Sequence, residues 1–156
     1  MQRIVGGIFR HRYLKMINKS FKLRPTSDKV RQALFNILNP KIIDAKVLDL
    51  FAGTGAVGIE ALSRGAESCV FIESNPGHFQ LIKDNLATFN LTAEVYMKEV
   101  SLAIKILYTK QIKFDIIFLD PPYFLDYGVK TIMNISEHKI LNDDGILIWE
   151  HEKKEN

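Results

Sequence analysis

At 156 residues, 47% hydrophobic and 25% charged, the chain is sized for one soluble domain with one core, and its composition excludes a disordered polymer. No apolar run reaches the length of a membrane span, no signal peptide opens the chain, and the single Cys69 excludes an internal disulfide, so a reducing cytoplasmic compartment is expected. The net charge of +3 is uneven: residues 1–31 carry nine basic side chains against one acid, Asp28, a local +8, and the remainder sums to −5.

The basic segment is an arm at 1–23. It also carries Ile4, Val5, Ile8, Phe9, Tyr13 and Leu14, which suit a hairpin turning at Gly6-Gly7. A cationic hairpin on a mildly acidic body is a phosphate-backbone footprint, and a solvated terminus is the plainer alternative. Residues 24–156 form the body. Ser27 caps a helix over 28–38, with Val30, Ala33, Leu34, Ile37 and Leu38 on its apolar face, and Pro40 ends it.

Strands and helices then alternate. A strand at 47–51 precedes a helix at 56–64. A strand at 69–73 precedes a helix opened by Asn75-Pro76, with Phe79, Ile82, Leu86 and Phe89 on one face. A short strand at 94–97, a helix at 100–108, and an apolar strand at 114–119 follow. A helix near 128–137, a turn at 142–145 and a last strand at 146–150 complete the series. This alternation predicts an α/β fold: a parallel sheet with helices on both faces, binding ligands beyond the carboxyl ends of its strands.

The candidate site residues fall at such ends. Gly53-Thr54-Gly55-Ala56-Val57-Gly58 follows the first strand, a Gly-x-Gly-x-x-Gly turn that lets backbone approach a ligand closely. The same pattern serves nicotinamide dinucleotides or a purely structural turn. Asp49, at the strand end, suits a cationic amine and repels a pyrophosphate. Glu73 ends the second strand, twenty residues after Gly53, where an acid grips two ribose hydroxyls. Glu99 and Val100 stand at the third strand end, placed to accept an adenine amino group and pack on its ring. A solvated Glu99 is nearly as good a reading.

Asp120-Pro121-Pro122-Tyr123 follows the fourth strand. The lone pair of an exocyclic amine is delocalised into its ring, so its nitrogen is a poor nucleophile. Hydrogen bonds from its N–H groups to the Asp120 carboxylate and the Pro121 carbonyl favour a pyramidal nitrogen. The prolines stiffen the loop and Tyr123 stacks on the base. The plain alternative is a proline-rich turn. His11, His78, His138 and His151 are scattered, so no metal is expected.

These residues resemble the S-adenosylmethionine-dependent methyltransferases with a Rossmann-like fold, and more narrowly the bacterial family that methylates guanine N2 in 16S ribosomal RNA. The resemblance rests on Arg3-Ile4-Val5-Gly6-Gly7, on Arg24-Pro25-Thr26-Ser27-Asp28-Lys29-Val30-Arg31, on 49–66 and on 114–123. It implies S-adenosylmethionine held by Asp49, Phe51, Ala52, Gly53, Thr54, Gly55, Glu73, Ser74, Glu99, Val100 and Thr26. It implies ribosomal RNA, within an assembling small subunit, held by Arg3, Arg10, Arg12, Lys15 and Arg24. Catalysis would rest on Asp120, Pro121, Pro122 and Tyr123. The family adds an antiparallel strand pair after the fifth strand, and nothing equivalent is found after Glu150; either the sequence is cut short or this is a natural short form, and 146–150 is then expected to be an uncovered edge open to self-association on an otherwise monomeric protein. A DNA adenine-N6 or cytosine-N4 methyltransferase shares the Asp-Pro-Pro-Tyr motif. A non-catalytic module that binds cofactor or RNA is the alternative from another class.

Overall fold

In two of the helices the capping side chain satisfies one of the first free N–H groups. Ser27 accepts from the backbone N of Val30 at 3.2 Å and opens α1 (Asp28–Leu38). Asn75 accepts from His78 N at 3.1 Å and opens α3 (Pro76–Thr88), with proline at its first position. The computed structural model describes residues 2–16, 27–121 and 125–150. Its other elements are β1 (Lys46–Leu50), α2 (Ala56–Ser63), β2 (Ser68–Ile72), β3 (Glu94–Tyr96), α4 (Val100–Thr109), β4 (Phe114–Leu119), α5 (Leu125–His138) and β5 (Leu141–Trp149). The five strands form one parallel sheet in the order β3-β2-β1-β4-β5.

Strand alternation divides the core into two layers. Val47, Cys69, Phe71, Ile116 and Phe118 face α1, α2 and α3; Leu48, Leu50, Val70, Ile72, Ile117 and Leu119 face α4 and α5. Cys69 is buried, and burial pushes its thiol well above the ordinary range, as fits a packing residue rather than a nucleophile.

Three expectations are corrected. The buried face of α1 is Arg31, Phe35 and Leu38, whereas Val30 is 47% and Ile37 81% exposed. The helix is turned because Arg31 enters the core: its Nε lies 3.4 Å from Glu60 Oε1 and its Nη2 donates to Asp28 Oδ1 at 2.8 Å. Both Arg31 and Glu60 are wholly buried. On α3, Phe79 is only half-buried, and Asn85 occupies the core stripe beside Leu81, Ile82 and Leu86. The segment 142–145 is no separate turn. It lies inside β5 as an irregularity, since Phe114 pairs with Leu141 but Ile116 pairs with Ile146.

The hairpin forms as expected. Arg3 and Tyr13 make an antiparallel bridge, and Ile4 N donates to Arg12 O at 2.8 Å. Glu60 ties it to α2: its Oε1 accepts from Val5 N at 2.9 Å, and its Oε2 accepts from Gly6 N at 3.0 Å and from Arg64 Nε at 2.9 Å. Gly7 has φ 77°, and a Cβ there would stand 2.0 Å from the carbonyl oxygen of Ser63, so only glycine permits this approach. Glu60→Ala strips the buried Arg31 of a partner. It is expected to cost about 3–5 kcal/mol in urea unfolding, and a loss below 1 kcal/mol would show that Arg31 is stabilised elsewhere.

Candidate active site

The sheet order reverses between β1 and β4, so the loops leaving these strands diverge and open a crevice at their carboxyl ends. Register aligns the edge: Leu50 pairs with Ile72 and Leu119, and Ile72 with Tyr96. The residues that follow are therefore neighbours along one rim: Phe51 to Gly55, Glu73 to Asn75, Met97 to Glu99, and Asp120 with Pro121.

The glycine loop is tightly curled. Phe51, Gly53 and Gly55 all have left-handed backbone, with φ of 59°, 58° and 82°. For a bulky residue such as Phe51 this is a costly conformation, of the kind that clusters at ligand clamps. External bonds hold the curl: Ala52 N donates to Ile72 O at 3.0 Å, and Gly53 N to Glu73 Oε1 at 2.9 Å. The third glycine of the motif serves packing, because a Cβ on Gly58 would lie 2.3 Å from the ring of Phe71.

Asp49 faces α2, and its Oδ2 accepts from Gly58 N at 3.1 Å. Burial pushes its carboxyl up to about 8, with the charges of Asp120 and Glu73 adding to the rise and the Gly58 bond opposing it. A buried acid held partly neutral beside two other acids is a site prepared for a cation. Glu73 bridges the loops: its Oε2 accepts from Asn75 N at 2.9 Å and stands 3.7 Å from His78 Nδ1. Two bonds leave about half of a carboxylate's roughly four acceptor positions for other donors. Ser74 is exposed beside it.

Asp120 is exposed at the opposite lip of the crevice and Pro121 is half-buried. Glu99 is the N-cap of α4 but gives no side-chain cap bond. Val100 is 5% exposed and packs in the core layer of α4 and α5. Pro122, Tyr123, Thr26 and Arg24 lie outside the described residues. Among the described residues no cluster of metal ligands occurs and no helix is long and apolar enough to cross a membrane.

Tyr127 was not foreseen in the sequence. It projects from α5, and its ring meets Phe51 edge-on at 5.3 Å between centroids. Its hydroxyl is shifted up, first by burial and then by the charge of Glu99, which puts all three side chains in one neighbourhood. No local pattern marks it, because the contact depends on where α5 crosses the sheet.

The arm presents Arg10, His11, Arg12 and Lys15 as exposed residues. Arg12 is also structural, lying 4.5 Å from the Phe89 ring centroid and donating to Thr88 O at 3.0 Å. Arg3 is half-exposed and pairs with Asp28 at 3.5 Å. Arg31 is lost to this surface by burial.

Known proteins are similar to this chain over nearly its whole length. The family described as Conserved hypothetical protein 95 matches residues 2–156. The ribosomal RNA small subunit methyltransferase D of Escherichia coli is 41% identical over 150 residues, 96% of this chain and 74% of its own length. The protein of that name from Haemophilus influenzae is 37% identical over 153 residues, covering 97% and 79%. The solved structure of yhhF from Escherichia coli superposes with a TM-score of 0.82 at 39% identity, over 94% of this chain and 78% of that one. Fold and similarity along nearly the whole chain agree: it belongs to the Conserved hypothetical protein 95 family, with ribosomal RNA small subunit methyltransferases D among its relatives.

Proposed function

We propose that this chain transfers a methyl group from S-adenosylmethionine to the 2-amino group of a guanine in 16S ribosomal RNA, within an assembling small subunit. One observation carries the reading. The crevice between β1 and β4 has a partly neutral buried acid and a curled glycine loop on one side, and the Asp120-Pro121 acceptors on the other. The guanine and its N2 position come from the family resemblance; the rim alone fits any exocyclic amine.

The described residues fit the methyl donor. Asp49 can take its ammonium group, the remaining acceptor positions of Glu73 its ribose hydroxyls, and Glu99 its adenine amino group. Phe51 and Tyr127 add an aromatic wall near Glu99. When bound, S-adenosylmethionine supplies a methyl group already activated on a sulfonium. The protein's own task is orientation, which is worth much of the acceleration when the donor is activated. Asp120 and the Pro121 carbonyl accept the two N–H groups of the target amine and turn its lone pair outward. Tyr123 stacks on the extruded base. A strong general base is unnecessary, because the nitrogen becomes acidic once alkylated.

Tritium transfer from labelled S-adenosylmethionine to small-subunit particles of an unmethylated strain tests this. Label on guanine N2 supports it. Label on DNA alone, or cofactor binding without transfer, overturns it in favour of a DNA methyltransferase or a non-catalytic module respectively. For the arm, replacing Arg10, Arg12 and Lys15 by Ala is expected to weaken RNA binding and flatten log K against log salt by about two. An unchanged slope returns the arm to a solvated surface.

A further inference from the structure

The N-terminal hairpin and the cofactor loop are joined by buried polar groups. Thr54, between the first two glycines of the loop, donates its hydroxyl to Gln2 Oε1 at 2.8 Å. The carbonyl of Thr54 accepts from Asn85 Nδ2 at 3.0 Å. That same Nδ2 donates to Lys15 O at 3.2 Å, and Asn85 Oδ1 accepts from Lys15 N at 2.7 Å. Gln2, Thr54 and Asn85 are 4%, 3% and 0% exposed. Both ends of the hairpin, Gln2 and Lys15, therefore reach one residue of the loop, and Asn85 spends every polar atom of its side chain on that junction.

A loop flanked by glycines has little stiffness of its own, so its shape is set from outside. Ile72 and Glu73 hold its start, and the arm and α3 hold it at Thr54. Buried amide networks of this kind hold one geometry because any other leaves polar groups unpaired. We infer that Gln2 and Asn85 are positioning residues that couple the arm to the cofactor loop, so that RNA bound on the arm tightens cofactor binding in the crevice. The inference rests on the proposed function for the identity of the two ligands. RNA phosphates that restrain the hairpin restrain Gln2 and Lys15, and through them Thr54. By reciprocity, cofactor tightens RNA binding by the same factor.

Calorimetric titration with S-adenosylhomocysteine, with and without saturating small-subunit particles of an unmethylated strain, reads the coupling as a ratio of two Kd values. The wild-type ratio is expected at about five- to tenfold. In Asn85→Ala it should fall to within about twofold of one, although Asn85 touches neither ligand. Gln2→Met serves as a second variant should Asn85→Ala fail to fold, with Gln2→Glu, which keeps an acceptor for Thr54, restoring part of the ratio. Leu107→Ala, in the other core layer, weakens the fold and should leave the ratio intact. A wild-type ratio of one, or a full ratio in both Asn85→Ala and Gln2→Met, overturns the coupling alone. Absence of S-adenosylhomocysteine binding by the wild type overturns the proposed function, and the coupling with it.

Discussion

Asp120→Ala is expected to lower methyl transfer about 10³-fold, in line with the loss of one preorganised acceptor at a reacting centre. Cofactor affinity should move no more than a few-fold, because Asp120 stands on the far lip of the crevice from the glycine loop. The Asp120 charge helps to hold the Asp49 carboxyl up, so its removal lets Asp49 ionise more readily but also withdraws a negative charge from the ammonium group, and the two changes offset each other. Asp120→Asn keeps one acceptor oxygen without the charge and should fall between wild type and Ala. Single-turnover transfer measures the first quantity, and calorimetry with S-adenosylhomocysteine the second. Parallel loss of both would sink the role assigned to Asp120.

The second large effect is a trade between stability and binding at Asp49. Its carboxyl titrates at about 8 in the folded chain against an ordinary value of 3.8. Between those values the folded state keeps a proton that the unfolded state releases. Stability is therefore greatest at the acid end of this window and falls as pH rises through it, by up to about 1.4 kcal/mol per pH unit. Asp49→Asn carries no charge to bury and keeps an oxygen for Gly58 N. The variant should match wild type near pH 4 and exceed its Tm at pH 9 by roughly 10–20 °C, since the window amounts to about 6 kcal/mol at about 2–4 °C per kcal/mol. Cofactor affinity should drop by at least about 100-fold, the scale of a lost charge-assisted hydrogen bond in a buried site. For the wild type, S-adenosylhomocysteine should bind more tightly as pH rises toward 8, since Asp49 must ionise to receive a cation. Identical pH–stability profiles for the two proteins would show that Asp49 is already ionised in the folded chain.

The parts of the site that could be read from the chain are those governed by local rules. The strand-end placement of Asp49, Glu73 and Asp120 follows from alternating elements, and the caps at Ser27 and Asn75 from short-range hydrogen bonding. What could not be read depends on partners far along the chain. Arg31 counts as a solvated cation until Glu60, 29 residues away, is found beside it. That pairing rotates α1 and leaves Ile37 outside, against the apolar spacing that puts it within. Asn85 is likewise an ordinary polar residue of a helix until Lys15 and Thr54 come to it. In β5, turn chemistry at 142–145 was sound locally, but pairing with β4 absorbed it as a bulge. Tyr127 is visible only once α5 is laid across the sheet.

The hairpin's attachments also set an order of events during synthesis. Val5 and Gly6 reach across 55 and 54 residues to Glu60, and Lys15 across 70 residues to Asn85. Contacts so distant in sequence form late, because the intervening chain must first be made and closed into a loop. The hairpin therefore has no docking place until α2 has emerged, and only part of one until α3 follows. In a nascent chain arrested before Glu60, the amide hydrogens of Val5, Gly6 and Lys15 should exchange freely; in one arrested between Glu60 and Asn85, that of Lys15 alone should still do so; in the finished protein all three should exchange as slowly as those of the sheet.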